Sequence, residues 1–211
     1  MSDAKATVLV IDDDPALRAS IGRLLRSLDL DVRLFASISE FVEADPPSGP
    51  TCLVLDVRLP GRSGLELQRE LAVTDHELPI IFITGHGDIP MSVQAMKGGA
   101  IEFLTKPFRD QELLDAIQIG LSRDRARLEN EEALAALRER FASLSPRERE
   151  IMIQVARGRL SKQIAGDIGI AEATVKVHRS RLMRKMKAHS LLALSRMAEK
   201  LELVPEDLQQ C

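Results

Sequence analysis

Cysteine and long apolar runs are both scarce in this chain of 211 residues. Its two cysteines are Cys52, inside an apolar run, and Cys211, the last residue, so we expect neither a disulfide framework nor a Cys-x-x-Cys zinc motif. No apolar run approaches the roughly 18 residues that a membrane helix needs, and the first residues lack a signal-peptide core. We therefore expect a cytoplasmic protein with no membrane partner. The four histidines lack the spacing of metal ligands, which leaves structural or surface roles for them.

Charge is distributed unevenly along the chain. Residues 1–119 contain 11 basic and 19 acidic residues, whereas residues 141–211 contain 13 basic and 8 acidic residues. The length suits two small domains, and the charge difference indicates that they do different jobs. The stretch from Thr174 to Lys187 has six lysines and arginines and no acid, which favours a polyanion as partner.

Short apolar runs alternate with amphipathic segments throughout the first half. The apolar runs predict five strands, at residues 7–11, 32–35, 52–56, 80–84 and 101–104, and we expect a helix after each strand. Five βα units in series predict an α/β fold with a doubly wound parallel sheet. In the flavodoxin-like strand order 2-1-3-4-5, the first and third strands are neighbours.

Polar side chains follow the ends of these predicted strands. Asp12 and Asp13 follow the first strand, Asp56 ends the third, Thr84 ends the fourth and Lys106 follows the fifth. Asp56 alone could equally be a solvated carboxylate at a turn. As part of the set it shares one sheet edge with two other carboxylates, whose repulsion a hard cation such as Mg²⁺ would relieve. The hydroxyl and the ammonium beside them could hold phosphoryl oxygens.

This five-part set resembles the receiver domain of two-component response regulators, over about residues 5–120. The resemblance implies that Asp56 accepts a phosphoryl group from a cognate sensor histidine kinase. It also implies that Mg²⁺ is held by Asp12, Asp13, Asp56 and the backbone carbonyl of Arg58.

The resemblance further implies a conformational switch. Thr84 and Lys106 would contact the phosphoryl group and move inward, and Phe103 would act as the switching aromatic residue. The lysine would precede a cis peptide bond to Pro107. The implied dimer face on the fourth helix and fifth strand consists of Val93, Lys97, Ile101 and Phe103. Core packing is the alternative role for Ile101 and Phe103.

The connection between the halves is predicted to be helical. Leucine or alanine recurs every seven residues from Leu114 to Ala135, yet the companion positions Asp124, Glu131 and Arg138 are charged. This is half of a coiled-coil seam. We expect a receiver at 1–120, a mostly exposed helical linker at 121–142 and a second domain at 143–211. Dimer contact along the linker and a bend at its start are the alternatives.

The second half has the pattern of a helix-turn-helix. Ser145 and Glu148 form a capping box that begins one helix, and Ser161 is expected to cap a short second helix. Gly169 provides a tight turn before a basic helix at about 172–187. With a further helix from residue 191, this predicts an all-α domain of four helices.

This half resembles the LuxR/FixJ-type DNA-binding domain, and the motifs at residues 144–150, 162–165 and 173–179 carry the resemblance. The resemblance implies that the basic helix enters the major groove of double-stranded DNA, with Lys176, Val177 and Ser180 at base edges. Phosphate contacts are implied for Lys162, Thr174, His178, Arg179 and Arg184. A solvated helix face is the alternative for all of them, and a structural histidine is the alternative for His178.

Two positions depart from the family pattern. Ser161 stands where the family usually has Asn, and Ala171 stands where it usually has Ser. The second change removes a helix cap, at a cost of about 1 kcal/mol. Neither change touches the charged face of the basic helix.

Together these observations predict a transcription regulator that is activated by phosphorylation. The motifs at residues 83–88 and 106–108 in particular resemble those of the FixJ subfamily. The regulator would form a homodimer on phosphorylation, bind promoter DNA and act on RNA polymerase. A protein- or RNA-binding output module is the alternative. An Asp-nucleophile phosphohydrolase is not expected, because Arg58 stands where such enzymes need a second Asp.

Overall fold

The computed structural model describes residues 5–73, 78–85 and 89–203. The chain divides into two compact units, Met1–Leu128 and Glu129–Cys211. Among the described helices, none is both long and apolar enough to cross a membrane. The first unit contains β1 (Thr7–Ile11), α1 (Pro15–Arg26), β2 (Asp31–Phe35), α2 (Ile38–Glu43), β3 (Thr51–Asp56), α3 (Gly64–Leu71), β4 (Ile80–Thr84), α4 (Ile89–Lys97) and β5 (Glu102–Thr105). Then follow α5 (Asp110–Ala142), α6 (Pro146–Ala156), α7 (Ser161–Ile168), α8 (Glu172–Met186) and α9 (Leu191–Lys200).

The five strands form one parallel sheet in the order β2-β1-β3-β4-β5, which confirms the predicted fold. Every residue of β1, β3 and β4 is buried, as expected for strands covered by helices on both faces. Side chains of β3 alternate between two apolar clusters: Leu53 and Leu55 pack in one, Cys52 and Val54 in the other. The sheet therefore holds the end of β3 rigidly between two cores.

Helix α3 begins directly beside the end of β3. Ser63 caps it and forms a reciprocal capping box with Glu66. Gly64, the first helical residue, lies so close to the backbone of Asp56 that an added β-carbon would collide with the Asp56 carbonyl oxygen. Glycine is therefore required here, because any side chain would push the helix away from the strand end.

Helix α5 continues through Gly120 over 33 residues. Gly120 packs on Cys52, since an added β-carbon would lie 2.6 Å from its sulfur. Asp124 was expected on an exposed helix, but it is only 2% exposed. Its Oδ2 accepts a hydrogen bond of 2.7 Å from the Thr51 backbone N–H, and its Oδ1 pairs with Arg127 at 2.8 Å. This buried charge ties α5 to the start of β3.

The second unit packs helices α6 to α9 around a separate apolar core, to which the end of α5 contributes Leu137 and Phe141. The Ser145–Glu148 capping box is present, as predicted. Ser161 is not the cap of α7: Leu160 occupies that position, and Ser161 is the first helical residue, with its hydroxyl bonded elsewhere.

Candidate functional site

Three carboxylates meet at the carboxyl edge of the sheet. Asp12 and Asp13 follow β1, Asp56 ends the neighbouring strand β3, and one oxygen from each lies within 4.8 Å of the others. Asp12 and Asp56 are buried, with exposures of 0% and 5%, whereas Asp13 is exposed. Carboxylate oxygens grouped in this way are ligands that suit a hard divalent cation such as Mg²⁺.

The ammonium of Lys106 lies among these carboxylates. Its Nζ is 2.7 Å from Asp12 Oδ2 and 2.6 Å from Asp56 Oδ2. Burial alone would lower the pKa of Lys106, but the bonds to the two carboxylates outweigh it and raise the pKa above its usual value. Burial raises the pKa of Asp12, although Lys106 offsets part of the effect. The lysine thus compensates negative charge that the fold places out of water.

Backbone groups fix the remaining carboxylate oxygens. The Arg58 N–H donates to Asp56 Oδ1 at 2.9 Å, and the Asp14 N–H donates to Asp12 Oδ1 at 2.8 Å. The guanidinium of Arg18 donates to the Asp12 backbone carbonyl. Each buried carboxylate therefore has one oxygen held by the backbone and one by Lys106. Sequence reasoning missed Arg18, because α1 has three arginines and nothing in its spacing marks this one.

Thr84 ends β4 at the same sheet edge and is fully buried. Its carbonyl accepts a hydrogen bond of 2.7 Å from the Lys106 backbone N–H, and the Lys106–Pro107 peptide is cis. Phe103 on β5 is partly buried, with its ring centroid 6.3 Å from that of Phe82. The FixJ-like motif at 83–88 continues into residues 86–88, which lie outside the described part of the chain.

The expected dimer face is partly exposed. Val93 and Lys97 on α4 are exposed, with Val93 at 45%, whereas Ile101 and Phe103 are only partly accessible. Ile101 packs against the core cluster on one side of the sheet and Phe103 against the cluster on the other. Both residues therefore contribute to core packing while keeping part of their surface accessible.

The basic helix α8 presents most of the predicted DNA contacts. Lys162, Thr174, Lys176, Val177, Ser180 and Arg184 are all exposed. Lys176 Nζ pairs with Glu172 Oε1 at 2.8 Å, one turn earlier, and this bond lowers the pKa of Glu172. The acid just before the basic run thus orients the lysine that was expected to read bases.

Two of the predicted phosphate ligands are less accessible than the others. Arg179 is half-buried, and its Nη1 donates a hydrogen bond of 2.7 Å to the Ser161 hydroxyl. His178 is also half-buried, and its buried Nδ1 has no hydrogen-bond partner among the described residues. For Arg179 the structure therefore provides an interaction inside the domain, which sequence reasoning did not anticipate.

A further interaction that the sequence did not reveal joins α6 to α8. Lys185 Nζ lies 2.6 Å from Glu148 Oε2 and 3.1 Å from the Ser143 carbonyl oxygen. The same Glu148 oxygen accepts the Ser145 N–H at 2.8 Å, as the capping box requires. The bond to Lys185 is the largest cause of the lowered pKa of Glu148. One buried carboxylate therefore serves both a helix start and a contact between helices.

Each of the two units matches a known protein family. Residues 8–118 match the response regulator receiver domain, and residues 142–198 match the bacterial regulatory proteins of the luxR family. The chain is 51% identical to nodulation protein W of Bradyrhizobium diazoefficiens over 209 residues, which are 99% of this chain and 92% of that protein. It is 44% identical to the transcriptional regulatory protein FixJ of Azorhizobium caulinodans over 200 residues, 95% of each chain.

Solved structures agree with these matches. The response regulator StyR, known at low resolution, is 49% identical with a TM-score of 0.83, covering 93% of this chain and all of that one. Full-length FixJ from B. japonicum is 38% identical with a TM-score of 0.56, covering 97% of this chain and all of that one. The chain therefore belongs to the FixJ-like response regulators, and it is a phosphorylation-activated transcription regulator with a receiver domain and a LuxR-type DNA-binding domain.

Proposed function

We propose that Asp56 is the residue that accepts the phosphoryl group, and that a sensor histidine kinase supplies it. The observation that carries this assignment is the position of its Oδ2, 2.6 Å from the Lys106 ammonium at the carboxyl edge of the sheet. Asp56 Oδ2 would attack the phosphorus of the kinase phosphohistidine. The phosphorus–nitrogen bond would break, and the imidazole would leave with the bonding electron pair and take up a proton.

Asp12, Asp13, Asp56 and the Arg58 backbone carbonyl are the proposed Mg²⁺ ligands. Their hard oxygen atoms support this assignment, as does the grouping of the three carboxylates within 4.8 Å. When bound, Mg²⁺ supplies positive charge that offsets repulsion between the carboxylates and the incoming phosphoryl oxygens. The Arg58 N–H orients Asp56 by holding its Oδ1.

Lys106 and Thr84 are proposed to bind the phosphoryl oxygens after transfer. The lysine would exchange its bond to Asp56 Oδ2 for one to the phosphoryl group, and the threonine hydroxyl would move toward the same group. Phe103 would then turn into the space beside the threonine. The surface formed by Val93, Lys97, Ile101 and Phe103 would change shape and pair with the same surface of a second receiver. The half-buried state of Phe103 supports this role, because the ring already borders both core and solvent.

The output is proposed to be promoter binding by a homodimer in the cytoplasm, where RNA polymerase is the further partner. Pairing of two receivers would bring two α8 helices to a DNA site with two-fold symmetry. Lys176, Val177 and Ser180 would contact base edges. Phosphate contacts are assigned to Lys162, Thr174, His178 and Arg184. The exposure of all but His178 supports these roles.

The assignment of Asp56 is tested by labelling with a small phosphodonor such as acetyl phosphate in the presence of Mg²⁺. Intact-protein mass spectrometry should detect one phosphoryl group on the wild-type protein and on the Asp45→Asn variant, whose carboxylate is exposed in a loop. The Asp56→Asn variant should remain unlabelled. Persistent labelling of that variant would overturn the assignment.

A further inference from the structure

The hydrogen bond between Arg179 and Ser161 joins the two helices of the helix-turn-helix. The arginine lies in the middle of α8, and the serine is the first residue of α7, eighteen positions earlier in the chain. The donor–acceptor distance is 2.7 Å, and Ser161 is only 8% exposed. The bond is thus made at the partly buried junction of the two helices, where competition from water is reduced.

Ser161 is available for this bond because it does not cap its own helix. The N-cap of α7 is Leu160, whose backbone N–H is satisfied by the Gln163 side chain at 2.9 Å. The serine hydroxyl is therefore directed to α8. In the family pattern noted above, Asn usually occupies this position, and its amide oxygen could accept a bond from the same guanidinium.

Apolar packing alone would leave the alignment of the two helices less well defined. Ile164 of α7 packs with Val175 and Leu182 of α8 in the domain core. Such contacts hold surfaces together without a preferred direction, whereas a hydrogen bond fixes both distance and angle. The bond from Arg179 therefore sets how far along α8 the start of α7 lies.

That alignment matters because exposed cations lie next to both ends of the bond. Lys162 directly follows Ser161, and Lys176 lies one turn before Arg179 on α8. A shift of α7 along α8 would change the spacing between these two lysines, and hence their fit to the regularly spaced phosphates and base edges of a duplex.

We propose that Arg179 is a positioning residue for DNA recognition, which acts through Ser161, and that it does not bind a DNA phosphate. The proposal rests on the proposed function, in which α8 enters the major groove. Its consequence is specific: loss of Arg179 should weaken recognition of the correct sequence without removing an ionic contact to the DNA backbone.

Salt dependence separates these two roles. The slope of log K against log salt concentration is negative, and loss of one phosphate contact reduces its magnitude by about 0.9, whereas loss of a positioning residue leaves it unchanged. The measurement uses the full-length phosphorylated protein and a duplex selected by the wild-type protein from a random pool. Arg184→Met is the matched control, because Arg184 is an exposed arginine of the same helix.

We expect Arg179→Met and Ser161→Ala each to reduce affinity for the selected duplex about five- to tenfold, with an unchanged salt slope and a smaller ratio of specific to nonspecific affinity. Arg184→Met should reduce the magnitude of the slope by about 0.9. The double variant Arg179→Met with Ser161→Ala should be no weaker than Arg179→Met alone, because both changes remove the same bond. Ser161→Asn should retain affinity.

A shallower salt dependence for Arg179→Met, together with an unaffected Ser161→Ala variant, would overturn the proposal and make Arg179 a phosphate ligand. Ser161→Ala is a smaller change that removes the same hydrogen bond, so its affinity and salt slope test the proposal even if Arg179→Met does not fold. Wild-type DNA affinity that is independent of salt would instead contradict the proposed DNA interface itself, and that result would be visible without any variant of Arg179.

Discussion

Lys106 Nζ lies 2.6 Å from Asp56 Oδ2, although the two residues are 50 positions apart: Asp56 ends β3 and Lys106 follows β5. The lysine bonds equally closely to Asp12. The proposed phosphoryl acceptor, Asp56, must remain charged at a buried position before the phosphoryl group arrives. This single ammonium, placed between two carboxylates by the parallel sheet, meets that requirement.

Removal of this ammonium should destabilise the receiver. Lys106→Met leaves Asp12 and Asp56 without their shared partner, so we expect the free energy of unfolding at neutral pH to fall by about 1 to 3 kcal/mol. Added Mg²⁺ should restore part of the loss. Urea denaturation measures both effects, with the exposed Lys97→Met as control. Equal stability of the two variants would show that Lys106 does not compensate the buried charge.

Gly64 is predicted to be indispensable for the geometry of the proposed phosphorylation site at Asp56. Gly64→Ala places a β-carbon against the Asp56 carbonyl oxygen, so α3 or the end of β3 must shift. We expect a loss of about 2 kcal/mol or more in stability and slower labelling by a phosphodonor. Gly166→Ala in α7 is the matched control, since an added β-carbon there meets nothing within 4 Å. If Gly64→Ala matched wild type in both assays, the close approach would be unimportant.

The stability of the DNA-binding domain should depend on pH through Glu148. Lys185 lowers the pKa of this carboxyl below its ordinary value of 4.5 in the folded state. The carboxylate therefore stabilises the fold above pH 4.5, and that contribution disappears as the pH falls through the lowered folded-state value.

Glu148→Gln should consequently lower stability at neutral pH by about 1 to 2 kcal/mol, and its difference from wild type should shrink in acid. Thermal denaturation over a series of pH values would measure this. Glu150→Gln is the control, because Glu150 pairs with Arg147 on an exposed surface, where ion pairs contribute little. A difference for Glu148→Gln that stayed constant with pH would rule out the ion pair as its cause.

Asp124 should anchor the start of β3 to α5. Asp124→Ala leaves the buried Thr51 N–H without its acceptor and removes the ion pair with Arg127. We expect a loss of about 1 to 3 kcal/mol in stability and faster hydrogen exchange at the Thr51 amide. The exposed Glu129→Ala should have neither effect. Unchanged exchange at Thr51 would mean that the carboxylate does not hold the strand.

The sheet and the group of carboxylates at its edge could be predicted because both depend on local pattern. Apolar runs of strand length mark β1, β3 and β4, and the residue at the end of each run must lie at the shared sheet edge. The position of Asp56 beside Asp12 then follows from strand order alone. The Ser145–Glu148 capping box was equally predictable, because its two partners lie three residues apart, whereas Ser161 was wrongly expected to cap α7.

The side-chain contacts between distant helices could not be predicted in this way. Lys185 and Arg179 both belong to a run of cations that would appear uniformly exposed, yet one reaches Glu148 and the other reaches Ser161. Asp124 occupies a charged position of a helical repeat and is nevertheless buried against β3. In each case the partner lies on another element, so the contact depends on how the elements pack, which periodicity does not specify.

Phosphorylation of Asp56 is proposed to control DNA binding by helix α8, which begins more than a hundred residues further along the chain. The most direct test measures affinity for a duplex selected by the wild-type protein, with and without acetyl phosphate and Mg²⁺, for wild type and Asp56→Asn. We predict that the phosphodonor raises wild-type affinity about tenfold or more, a change of about 1.4 kcal/mol, and leaves Asp56→Asn unchanged. An equal rise for both proteins, or no rise for wild type, would show that phosphorylation of Asp56 does not control DNA binding.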